Sequence, residues 1–160
     1  MSKDSLPRIL LLVFVITAVA YFAAFFGIER WRARKGPWQV NFAVAADGRP
    51  TLRISQSGLR LDGVAIVFTE ESAPATNLTI RFDHPIKDVP WGTVAYQDPI
   101  TYPGVVTLHL FGHEIEMMPR TLSLNRREIP WQSHSTNRLK SADKLPADKL
   151  VKRKYQREGK

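Results

Sequence analysis

From Ile9 to Ile28 the chain runs twenty residues without a charge, and Arg30, Arg32, Arg34 and Lys35 follow at once. A helix rises about 1.5 Å per residue, so such a run covers about 30 Å, the thickness of a bilayer's hydrocarbon core. The sequence therefore divides into a short segment (1–8), a transmembrane helix (9–28), a basic juxtamembrane linker (29–36) and whatever the remainder folds into. Trp31 suits an interfacial aromatic, and Arg30, Arg32, Arg34 and Lys35 suit snorkelling to lipid phosphates. Ala18-Val19-Ala20 matches the small-x-small pattern of a signal-peptidase site. The apolar run continues well past it, whereas a signal peptide's apolar core gives way to polar residues after about 7–15 positions. The expectation is an uncleaved, single-pass anchor in the cell membrane. Charge flanks lean toward a cytoplasmic C-terminal domain, but long domains translocate regardless of nearby charge, so the side stays open.

The net charge of +8 belongs to the ends. Residues 1–35 carry six basic and two acidic groups, residues 135–160 nine and three, and the stretch between is slightly acidic. A nucleic-acid-binding module carries its positive field on the folded domain, so this distribution favours a lipid bilayer over DNA or RNA. Cysteine is absent, which excludes disulfides, thiolate metal sites and a thiol nucleophile.

After Gly36-Pro37 the apolar period drops to two. Trp38, Val40, Phe42 and Val44 share one face; Asp47-Gly48 marks a turn; Leu52 and Ile54 alternate in return. Leu59-Arg60-Leu61 and Val64–Phe68 read as strands broken by Asp62-Gly63, and Glu70–Thr76 as a loop. Further alternations cover Leu78–Phe82, Thr93–Tyr96, Val106–Leu110, Ile115–Met117 and Leu122–Leu124, with Ile129 and Trp131 last. Eight or nine short strands without an amphipathic helix predict an all-β domain over 37–134, a small antiparallel β-sandwich or jelly-roll-like fold. Parallel pairing is not expected, because no crossover helix is visible. Phe42, Ile54, Ile66, Phe68, Ile80, Phe82 and Leu108 are the expected core. Residues 135–160 read as a basic, mostly disordered tail, dispensable for folding.

Three features carry possible chemistry. Pro-Trp occurs at Trp38, Trp91 and Trp131, as strand starts filled by core tryptophans or as an exposed binding platform. His109, His113 and Glu114, with Glu116 beside them, are ligand-like. The spacing is that of a zinc-protease helix, but Leu110 follows the first histidine and Gly112 interrupts any helix. A hairpin turning at Phe111-Gly112 instead sets His109 opposite Glu114 as a polar pair on a wet face, so no metal is expected. Asp83, His84 and Asp88 lie in a proline-containing loop where, with Ser72, Thr76 or Glu70-Glu71, a hydrolase site is conceivable. No strained nucleophile turn supports it. Asn77-Leu78-Thr79 is a chance-frequency glycosylation pattern.

No catalytic residue, metal or cofactor is therefore assigned. The expected function is that of a membrane-tethered, non-enzymatic β-domain that binds a protein partner or contributes to a bacterial envelope assembly. The alternative is an anchored hydrolase acting on an envelope substrate through loop carboxylates and histidines.

Overall fold

Helix α1 spans Ser5–Ala33. Pro7 sits in its first turn, where the missing N–H has no helical acceptor to lose. Thr17 Oγ1 donates to the Val13 carbonyl at 2.8 Å, which satisfies a hydroxyl inside the apolar stretch. Tyr21 stacks on Phe25 and Phe22 on Phe26, one helical turn apart. The window Pro7–Ile28 is long and apolar enough to cross a membrane. A signal sequence meets the same criterion of length and composition. The computed structural model describes residues 5–33, 35–98 and 100–150. Arg30 falls in the last turns of α1; Arg34, the side chains of Trp31 and Arg32, and residues 151–160 lie outside the described residues.

The second unit begins at Lys35 and is built almost wholly of strands. One sheet has five, in the order β11-β3-β2-β1-β4: β1 (Gln39–Val44), β2 (Pro50–Gln56), β3 (Leu61–Phe68), β4 (Asn77–Arg81) and β11 (Thr136–Leu139). The other is a six-stranded meander of β5 (Asp88–Val89), β6 (Gly92–Gln97), β7 (Val106–Leu110), β8 (His113–Met117), β9 (Thr121–Leu124) and β10 (Arg127–Pro130). Neighbours within each sheet are antiparallel except β11 and β3. Period-two alternation sends Val40 and Phe42 of the first sheet, with Trp38 just before them, and Leu108, Leu110, Ile115 and Met117 of the second into one apolar core. Of the seven expected core residues only Ile80 stays partly exposed, because β4 is an edge strand.

Several expectations are corrected. Six consecutive strands in one meander are not the alternation between sheets that defines a jelly roll. Asp62-Gly63 does not break a strand: β3 runs straight through it, and residues 57–59 form a single 3₁₀ turn. A parallel pair exists without a crossover helix, since the long excursion through β4 and the whole second sheet supplies the connection.

The tail boundary also moves. Thr136–Leu139 pairs with Ala65–Phe68, and Leu139 is buried at 5% exposure. Beyond it Ser141 N–H donates to Glu70 at 2.9 Å and Leu145 N–H to the Gly112 carbonyl at 3.2 Å. The basic tail at 135–150 is therefore part of the fold, because one buried leucine and an edge ladder outweigh its flanking charge. Leu139→Ala should cost about 2–4 kcal/mol, read as a lower urea midpoint by tryptophan fluorescence of the full-length protein in detergent. An unchanged midpoint would contradict the burial of β11.

Candidate functional site

The β7–β8 hairpin turns through Phe111 and Gly112, at φ +50° and +81°. Positive φ at both central positions is the geometry that suits a two-residue hairpin, and glycine takes the second without strain. This turn fixes the register His109 opposite Glu114 and Leu110 opposite His113. Strand alternation then puts His109 and His113 on opposite faces of the sheet. The two histidines cannot share a ligand. Among the described residues no group of three or more His, Asp and Glu side chains is placed to hold a metal ion.

On the outer face, His109 Nε2 lies 3.4 Å from Glu114 Oε2 without hydrogen-bond geometry. Arg126 Nε lies 3.7 Å from the other carboxylate oxygen. The expected cross-strand pair forms, but its face is not wet: Glu114 is 4% exposed. Glu116 follows two residues along the same face, opposite Thr107 and Ser123, both buried. Burial raises its carboxyl above the usual range, with Glu114 and Glu128 adding repulsion.

On the inner face His113 is buried beside Phe68, ring centroids 5.8 Å apart. Its partner is Asn125, which sits at φ +51° in the β9–β10 turn, a conformation asparagine tolerates better than most residues. Asn125 Oδ1 accepts the Glu114 N–H at 2.9 Å, so its Nδ2 faces His113 Nδ1 at 3.0 Å as the donor. His113 Nδ1 must then accept, which leaves the neutral ring protonated at Nε2, a buried atom without a hydrogen-bond partner. Burial pushes the imidazole below its ordinary value, and the Lys144 ammonium acts in the same sense against Glu71, Asp143 and Asn125. Asn125 reads from sequence as a turn residue; its hold on β8 depends on a partner twelve residues away.

The three tryptophans are packing residues. Trp38 is fully buried, donates to the Gly104 carbonyl at 3.1 Å and packs at a tilt of 31° against Trp131, whose indole N–H reaches the Met118 carbonyl at 2.8 Å. Trp91 lies in the β5–β6 turn at φ +67°, packed between Phe42 and Phe111. Two Pro-Trp pairs directly precede strands, as expected; Trp131 instead follows β10.

In the linker between sheets, exposed His84 Nδ1 and Asp83 Oδ1 are 2.7 Å apart. The histidine holds the Asp83 carboxyl below its usual value. This is the geometry of a base and its orienting carboxylate, yet no hydroxyl from Ser72 or Thr76 is hydrogen-bonded to the ring among the described residues. Asp88 is exposed on β5. Compared with known protein families, with curated proteins and with solved structures, the chain matches none.

Because folded His113 takes a proton at lower pH than the unfolded side chain, whose value is near 6.5, the unfolded chain binds more protons between the two. Stability should therefore be full above about pH 6.5 and fall as pH drops through that window. Glu116, raised in the folded state, works in the opposite sense: its stabilisation is full below about pH 4.5 and is lost as pH rises from there to its folded value. His113→Leu should flatten the slope of urea midpoint against pH near 5–7; an unaltered slope would assign it to another group.

Proposed function

We propose that this chain is a single-pass membrane protein whose β-sandwich binds a protein partner and serves a bacterial envelope assembly without catalysis of its own. One observation carries the reading: an apolar helix able to span a bilayer leads directly into a β unit with a filled aromatic and aliphatic core. Supporting it, the residues that looked most chemical in the sequence are engaged in structure. Trp38, Trp91 and Trp131 pack, His113 is sequestered, and Glu114 sits beside His109 and Arg126. The bilayer and a protein are the partners; nucleic acid is disfavoured by the location of the charge. The anchor's flanking cations favour the cytoplasmic side.

The anchor is tested by fractionation of cells expressing the full-length protein. It should remain with membranes through high salt and alkaline carbonate and keep Met1 or Ser2 as its N-terminus, since transferring such an apolar segment to water outweighs screened surface charge. Release by carbonate would overturn the anchor, and a mature N-terminus at Tyr21 would show the segment to be a cleaved signal. Chemical crosslinking in intact membranes should then give a discrete heteromeric adduct; monomer alone at every crosslinker concentration would argue against the partner.

A further inference from the structure

The two sheets are joined by chain at both of their paired edges, and the two sides differ. Between β4 and β5 the connection is pinned by Gln97, which donates to the His84 carbonyl at 2.8 Å and accepts from Ile86 N–H at 3.0 Å. Between β10 and β11 the connection crosses at one end only. There the edges border an open cleft of about 340 Å³, with Leu124, Ile129, Leu139 and Leu145 on its apolar side and Arg127 and Arg138 among its polar ones.

The backbone of β11 is half used. Ser135 and Leu139 carbonyls accept from Ala65 and Thr69, so the odd-numbered residues face β3. Thr136 and Arg138 accordingly turn their N–H and C=O groups away from β3, toward an edge that pairs with no other strand among the described residues. Strand β10 offers less, because Pro130 has no N–H to give. Arg127 and Arg138 are exposed and form no ion pair among the described residues. Asp143 also lines the cleft, but one of its carboxylate oxygens accepts the Lys140 N–H at 3.1 Å.

We propose that this seam takes an extended acidic segment of a partner protein as an added strand on β11. Thr136 and Arg138 supply the backbone pairing, apolar side chains of the segment enter the cleft beside Leu139 and Ile129, and Arg138, on the face of β11 opposite Leu139, meets its carboxylates. Strand addition draws affinity from main-chain hydrogen bonds and specificity from alternate side chains. The guest is therefore a run alternating acidic with β-branched apolar residues. The proposal rests on the partner-binding reading above and names the partner's chemistry; its failure would leave the membrane anchor untouched.

The test uses the full-length protein in uncharged detergent micelles and a fluorescein-labelled octapeptide of alternating glutamate and valine. Saturable binding by anisotropy is expected, weakened tenfold or more when lysine replaces glutamate in the peptide. The Arg138→Ala protein should weaken it similarly while its circular dichroism is unchanged, the side chain being exposed. A glutamate–valine peptide N-methylated at alternate amides keeps its charge but loses its pairing edge, and in one of the two methylation registers it should fail to bind. Binding that survives both methylation registers would make the seam a general anion surface and overturn strand addition. So would no saturable binding of the parent peptide, or equal binding of the lysine version.

Discussion

Five rings run through the space between the two sheets, each touching the next: Phe42 on Trp91, Trp91 on Phe111, Phe111 on Phe68, and Phe68 on His113. Phe42 and Phe68 belong to the first sheet; Trp91, Phe111 and His113 belong to the second and its turns. Two of the contacts, Phe42–Trp91 and Phe68–Phe111, are edge-to-face, and such aromatic pairs add about 0.5–1.5 kcal/mol beyond the area they bury. More important is what they fix. Trp91 and Phe111 both hold positive φ in tight turns, a conformation that is costly for bulky side chains unless packing over-determines it. The contact between sheets therefore sets the turns, the turns set the register, and the register decides which face each histidine occupies.

From that register follows the electrostatic character of the unit. His113 and Glu114 are neighbours in sequence but point to opposite faces, the imidazole into the apolar core and the carboxylate toward His109 and Arg126. Asn125 ties the two faces through one amide, accepting from the Glu114 backbone and donating to the His113 ring. A buried imidazole with one nitrogen satisfied and the other orphaned is a point of stored vulnerability to acid, since protonation would place a charge in the aromatic layer beside the Lys144 ammonium.

The most informative disagreement between pattern and structure concerns Thr136–Leu139. Only one of those four residues is a large apolar one, so no alternation marks a strand, and lysines follow directly. Its ladder is with β3, far earlier in the chain, and pairing at that separation leaves no local trace. The same segment carries the outer edge of its sheet and a cation that border the β10–β11 cleft, where composition alone suggested solvated tail.

The sequence by itself determined the apolar helix, the strand-rich unit behind it, the hairpin β1–β2, the His109–Glu114 register and six of the seven core residues expected from it. Each of these depends on periodicity or turn chemistry within a few residues, and local sterics and apolar burial act at that range. Only the tertiary structure decided that β11 joins β3 in parallel, that Asn125 governs His113, that the tryptophans pack among themselves and their neighbours, and that the two sheets leave a seam open along one side. Those features come from contacts between residues distant in the chain, chosen by which apolar faces meet when two twisted sheets close on a single core.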